Sequence, residues 1–205
     1  SPYADLSVKA VKYDPNRARQ ILKKAGWEDS DKNGTLDKVI DGQKVELAFS
    51  VISGGGPWEK WLTVFKEDLK KAGIDLTIKS LEWNALQKTR QDFNFDMVAM
   101  GFTSAVEGDP KQVWHTSSIS TDGSNFAGYS NPEVDKMIDE ARSELDFKKR
   151  QKLMQKIYRQ IAEDHPYIFF YTPKFGFYGH SARVGMVQPT YQYGVGVDTW
   201  WLKAN

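Results

Sequence analysis

Two segments decide the fold class of this chain: Gly73-Ile-Asp-Leu-Thr-Ile-Lys-Ser-Leu-Glu-Trp83 and, beyond a polar stretch carrying Arg90, Phe95-Asp-Met-Val-Ala-Met-Gly-Phe102-Thr-Ser-Ala105. Ile74, Leu76 and Ile78 alternate with Asp75, Thr77 and Lys79, the period of a strand with one buried face. Phe95 to Phe102 is apolar except for Asp96, which predicts an inner strand buried on both faces. A strand ending in Gly-Phe-Thr-Ser puts an aromatic ring and two hydroxyls at its carboxyl end, where open α/β sheets receive ligands.

Working outward, Asp14 is a good N-cap and Pro15 suits the first helical position. Ala18, Ile21, Leu22 and Ala25 then form the apolar face of a short surface helix that Gly26 ends. Lys44 to Ile52 alternates Val45, Leu47, Phe49 and Val51 with Lys44, Glu46 and Ser50, predicting one half-buried strand broken by Ser53-Gly54-Gly55-Gly56. Pro57 opens a helix with Trp58, Trp61, Leu62, Phe65 and Leu69 at helical spacing and Gly73 as its stop. The alternation of strands and helices predicts an α/β sheet layered by helices.

Further on, Asn131-Pro132 starts a helix with Val134, Met137, Ile138 and Ala141 inward, and Asp146 caps another with a stripe of Leu153, Ile157 and Ile161. The two are expected to pack as a hairpin. Tyr167-Ile-Phe-Phe-Tyr171 reads as a buried strand, and the remaining tail is rich in aromatics, Gly and Pro.

At 205 residues the chain can bury roughly 70% of its extended surface. Its 28 Lys and Arg against 27 Asp and Glu make no field that selects nucleic acid or an anionic membrane. With no cysteine there is no disulfide, thiolate metal site or thiol nucleophile. No apolar run approaches the ~20 residues of a membrane span. His115, His165 and His180 show no ligand spacing, and His165 before Pro166 reads as a helix terminus.

Several short motifs follow one another along the chain, and their order and spacing together are specific: Asp14-Pro15-Asn16-Arg17-Ala18 leading to Ala25-Gly26-Trp27, the acidic loop Asp31 to Asp37, Glu82-Trp83, Arg90, Phe95-Asp96, Gly101-Phe102, Asp109-Pro110, Asn125 with Tyr129 to Asp135, and Glu163-Asp164-His165-Pro166. Together they span roughly residues 11 to 172. In this the chain resembles the oligopeptide and dipeptide receptors of ABC importers, the extracytoplasmic solute-binding proteins of family 5. The resemblance implies a periplasmic-binding-protein type II-like lobe, a mixed sheet flanked by helices, over residues 1–172. It also implies an aromatic-rich tail, 173–205, that returns to a first domain. The chain opens Ser1-Pro2-Tyr3 without an initiator Met or signal, so we expect the carboxyl-terminal part of a larger receptor.

In such receptors two lobes close over a peptide or related solute, and a membrane permease recognises the closed shape. The resemblance thus implies solute capture without catalysis, a periplasmic or extracytoplasmic location compatible with membrane tethering, and as partners the solute, the permease and the first lobe, with no nucleic acid. It puts Trp83, Arg90, Phe102, Thr103, Ser104, Ala105 and Asn125 at the cleft.

Residue by residue, alternatives stay open. Trp83 is either a broad apolar wall or one of seven tryptophans packed in a core. Arg90 either faces the solute or is solvated, and Asn125 either reaches the cleft or caps a turn. Phe102 stands where the family usually has Trp. Ala105 replaces an Asp that pairs with a peptide's α-ammonium, removing an anchor of roughly 1.5–3 kcal/mol. Glu107 is the candidate substitute; otherwise the solute is neutral, such as an oligosaccharide.

Asp29, Asp31, Asn33, Gly34 and Asp37 match positions 1, 3, 5, 6 and 9 of a calcium loop, but position 12 is Ile40 instead of Glu. Calcium, the one candidate cofactor, competes there with an ordinary acidic turn. A reading from another class is a Trp-rich carbohydrate-binding or glycan-hydrolysing domain stabilised by calcium, with Glu107 and Asp109 as an imaginable carboxylate pair.

Overall fold

The computed structural model describes residues 1–102, 107–120, 123–171, 177–187 and 196–204. The chain divides into two compact units, Ser7–Phe102 with Ser117–Gly128, and Ser1–Leu6 with Thr103–Thr116 and Tyr129–Asn205. The expected boundary between lobe and tail, at 172 and 173, lies outside the described residues.

The sheet-bearing unit begins with α1 (Pro15–Lys24), whose N-cap Asp14 accepts from the Arg17 N–H. The expected single strand over Lys44 to Ile52 is instead two elements. β1 (Asp37–Ile40) and β2 (Gln43–Glu46) form an antiparallel hairpin. Its turn residues Asp41 and Gly42 both have positive φ, as a two-residue hairpin turn requires. The chain then continues into β3 (Ala48–Ser53).

α2 (Pro57–Lys71) crosses to β4 (Asp75–Ser80), which pairs in parallel with β3 from Ala48↔Asp75 to Ser53↔Ser80. α3 (Trp83–Gln91) follows, then β5 (Met97–Val98), parallel to β3 at Val51↔Met97 and Ile52↔Val98. Backbone bonds from Leu36 to Gly73, Leu47 to Leu36 and Asp75 to Leu47 tie the hairpin to this β4-β3-β5 sheet, giving antiparallel and parallel pairing in one unit.

The burial of the two apolar strands is the reverse of the sequence expectation. β3 is central and buried from Ser50 to Ser53, whereas β5 is two half-buried residues on the flank of the described sheet. Asp96 accounts for the polar residue in the buried stretch. Its carboxylate accepts from the Ser50 N–H at 2.8 Å and the Ser50 hydroxyl at 2.9 Å, taking the ladder position just before Met97 and matching a serine that would otherwise be a costly buried polar group. Val51, Leu62, Leu76 and Ala99 form the core, with Trp58, Phe65 and Leu69 of α2 packed on it. Trp61, expected on the inward face of α2, is half exposed.

The second unit is helical. α4 (Lys111–Trp114) precedes α5 (Pro132–Ser143), capped by Asn131, and α6 (Phe147–Asp164), capped by Asp146. α5 and α6 pack together through Val134, Ile138, Ala141, Met154, Ile157 and Ile161, with Tyr3, Trp114 and Tyr129 in the same core. Each of the Val, Ile and Met side chains among them contributes about 1.5–3 kcal/mol relative to exposure. His165 is the left-handed C-cap of α6, as its place before Pro166 implied.

Tyr167–Tyr171 is not the buried strand its composition suggests. Tyr167 packs against Trp114, but Ile168, Phe169, Phe170 and Tyr171 are exposed, and no described strand pairs with them. An apolar run without a neighbouring strand has no ladder to join and no face to bury. The tail holds one short antiparallel pair, β6 (Val184–Gly185) with β7 (Trp201–Leu202).

Candidate functional site

Three parts of the sheet unit deliver the candidate residues. Beyond β5 the chain reaches Gly101 and Phe102, with Gly101 lying against Trp58. α3 is a helix within what is, in sequence, a polar stretch. Its N-cap Glu82 accepts from the Asn84 and Ala85 N–H groups, so Trp83 occupies the first helical position. Trp83, Leu86 and Arg90 follow i, i+3, i+7 spacing and share one face. Leu86 is buried and anchors that face, while Trp83 at the helix start is 61% exposed. The segment Ser117 to Gly128 supplies Asn125 and Phe126.

Phe102, Phe126 and Arg90 meet. The Phe102 and Phe126 rings are 6.3 Å apart between centroids and inclined by only 13°. The guanidinium carbon of Arg90 lies 3.9 Å from the Phe126 centroid, a cation–π contact. Arg90 makes no ion pair among the described residues, and its buried Nε finds no hydrogen-bond partner there. Burial pulls its pKa down from the ordinary arginine value.

Phe102 is 46% exposed, so both aromatic candidates, Trp83 and Phe102, present surface instead of lying sealed in the core. Asn125 differs. At 1% exposure it offers no surface, and its backbone bonds to Ser118 and Gly128 hold the loop that carries Phe126. Thr103, Ser104 and Ala105 lie outside the described residues. Phe126 escaped the sequence reading: it is remote in sequence from both its partners, and no local periodicity marks it.

Glu107 is engaged elsewhere. It accepts from the Tyr3 hydroxyl at 3.0 Å and lies 3.9 Å from Arg150. Asp109 pairs with Arg142 at 2.9 Å and accepts from the Lys111 N–H. Two carboxylates each matched to an arginine are poorly set for acid–base work. A separate hollow of about 580 Å³ at the start of α2 is lined by Gly56, Pro57, Lys60, Trp61 and Val64, none of them a candidate from the sequence.

In the acidic loop, oxygens of Asp29, Asp31 and Asp37 come within 4.8 Å of one another. One Asp29 oxygen is buried without a described partner. Lys44 supplies a positive charge at this cluster, 2.5 Å from Asp31 and 3.4 Å from Asp37. Its hydrogen bond holds the Asp31 carboxyl below the usual range, and Lys44 is raised in turn. Burial pushes Asp37 upward, but the Ser30 N–H and hydroxyl together with Lys44 more than offset it, leaving Asp37 lowered. Asn33 is used within the loop, donating to Asp31 and Glu46 and accepting from the Thr35 N–H.

A helix-flanked sheet unit of parallel and antiparallel pairing, with exposed rings beyond the carboxyl ends of β4 and β5, defines an α/β lobe of the periplasmic-binding-protein type. Residues 1–125 match the family model of bacterial extracellular solute-binding proteins, family 5 (middle region). The chain belongs to this family. It is 34% identical to the oligopeptide-binding protein AppA of Bacillus subtilis over 97% of its own length and 36% of that protein's.

The structure of that Bacillus subtilis protein in complex with a nonapeptide superposes with a TM-score of 0.81, at 29% identity over 98% of this chain and 40% of the other. A mannohexaose-bound oligopeptide-binding protein from Thermotoga maritima gives a TM-score of 0.66, at 25% identity over 80% and 32% of the two chains. The chain thus spans about a third of the length of the relatives it matches.

Proposed function

We propose that this chain forms one lobe of an extracytoplasmic receptor that captures a peptide, without transforming it, for an ABC importer. The observation that carries the reading is the exposed Phe102, stacked with Phe126 against the Arg90 guanidinium, and the exposed Trp83 at the start of the helix that carries Arg90, on a family 5 lobe. Aromatic faces accept varied side chains, and a few polar groups orient the solute, so selectivity is broad. Thr103, Ser104 and Ala105 complete the wall in this reading. The solute's remaining surface is covered by a first lobe of the same receptor, because enclosing 70–90% of a ligand takes two walls. The exposed run Ile168 to Tyr171 and the tail from 173 face that lobe, and a membrane permease is the downstream partner.

Similarity to an oligopeptide-binding protein solved with a nonapeptide supports peptide as the solute. An oligosaccharide is the second reading, favoured by the aromatic surface and by the relative solved with mannohexaose. The carbohydrate-hydrolysing alternative gives way to family membership and to the arginine-paired state of Glu107 and Asp109. For the acidic loop, we propose that Lys44 serves as the built-in cation and that calcium is dispensable. No described helix is long and apolar enough to cross a membrane.

The test is mass spectrometry of what the complete receptor retains after purification and denaturation. Intact peptides support the reading, intact glycans transfer it to oligosaccharide, and cleaved glycans refute a receptor that only binds.

A further inference from the structure

We propose that Phe126 is the positioning residue of the solute wall: its buried ring holds the Phe102 ring and the Arg90 guanidinium in one fixed relation. This rests on the reading of Phe102 and Arg90 as solute-facing.

Phe126 itself is only 7% exposed, so it is not a contact surface. Its ring nonetheless touches both groups that are, lying nearly parallel to Phe102 and 3.9 Å from the Arg90 guanidinium carbon. Arg90 has no described carboxylate to hold it, and its Nε is buried without a partner, so the aromatic face is what keeps the head group in place. The choice of partner matters chemically. A carboxylate would neutralise the guanidinium and occupy its in-plane donors, whereas a ring engages the flat face and leaves charge and edge donors for an incoming acceptor oxygen.

The ring has a firm base. Asn125, the residue before it, is fully buried, and its backbone is bonded to Ser118 and Gly128. Fixing both groups before the solute arrives removes ordering that binding would otherwise have to supply.

The test uses the complete receptor with Phe126→Leu, which keeps apolar bulk but removes the π face, and Phe126→Tyr, which keeps the face. Without solute, the Arg90 Nε–H resonance, assigned by its loss in Arg90→Lys, is expected to carry a ring-current shift and slow exchange. Both should vanish in Phe126→Leu and persist in Phe126→Tyr. With an equimolar random pentapeptide library as probe, Phe126→Leu should retain roughly three- to tenfold less peptide than wild type, with Phe126→Tyr near wild type.

An Arg90 signal indifferent to Phe126→Leu overturns the proposal, and so does a moved signal with unchanged retention. Retention of no peptide by the wild type would refute peptide as the solute, and the Arg90 signal would still decide whether Phe126 holds the guanidinium.

Discussion

Asp96→Ala tests the link between the sheet and the site. In the native chain the Asp96 carboxylate accepts from both the N–H and the hydroxyl of Ser50, in the middle of the central strand. Ser50 is 8% exposed, so truncation leaves a nearly dry N–H without its acceptor. A buried donor left unmatched costs about 1–3 kcal/mol, and partial access of water around the exposed Asp96 position brings the expectation to about 2 kcal/mol. With a urea m-value of about 2 kcal/mol/M, that moves the unfolding midpoint down by roughly 1 M with m unchanged.

The loss should also depend on pH in a defined sense. The Ser50 N–H first, and its hydroxyl second, hold the Asp96 carboxyl below the usual carboxylate range. The unfolded chain therefore takes up the proton at higher pH than the folded one, so the stabilisation is complete above an unfolded pKa of about 4 and fades as pH falls through the lower folded value. The gap between wild type and Asp96→Ala should narrow in acid, and Asp96→Asn, whose amide oxygen can still accept, should show a smaller gap that narrows in the same pH range, because the titrating group is the wild-type carboxylate. A difference under about 0.5 kcal/mol at pH 7, or one that persists undiminished at pH 2, would refute this account of β5. Because β5 is only Met97–Val98 and leads directly to Gly101 and Phe102, the same variant should weaken solute retention by the complete receptor.

Other expectations follow from single residues. Gly73 has φ +84°, and a Cβ there would lie 2.6 Å from Leu36 Cγ, so Gly73→Ala should lose about 2–4 kcal/mol in chemical unfolding; a loss below about 0.5 kcal/mol would contradict the tight Leu36 packing. Trp83→Ala should change stability by less than about 0.5 kcal/mol, since the ring is exposed, while lowering solute retention roughly tenfold; a large drop in melting temperature with retention intact would return Trp83 to a structural role. Millimolar calcium should leave the wild-type melting temperature unchanged, whereas Lys44→Met, which strips the cation from Asp31 and Asp37, should gain a calcium-dependent rise; a wild-type rise abolished by Asp31→Ala would instead establish a metal site.

The parts of the fold legible in the sequence are those whose cause is local. α1, α2, α5 and α6 each declare a start through Asp14, Pro57, Asn131-Pro132 or Asp146, and α2, α5 and α6 each bury an apolar stripe. α3 lacked such a stripe: Leu86 stands alone where α2 adds Trp58, Phe65 and Leu69 around Leu62, and only Glu82 as a cap marked it. The hairpin went unread because the polar–apolar alternation runs unbroken across Leu47, although Asp41-Gly42 between Val39-Ile40 and Val45 was the available signal. At the site, Trp83, Arg90 and Phe102 could be located by the order of short motifs, and two of them are exposed rings.

What no local pattern carries is the pairing of groups far apart in the chain. Ser50 reads as a solvent-facing residue until Asp96, 46 positions later, supplies its acceptor. Arg90 reads as a solvated cation until Phe126, 36 positions later, lies beneath it. In both cases a polar group sits where its type alone argues against it, and a single distant partner reverses the sign of the energy. Ile168 to Tyr171 is the converse: an apolar run whose composition reads as a buried strand, yet no described strand pairs with it and its side chains are exposed.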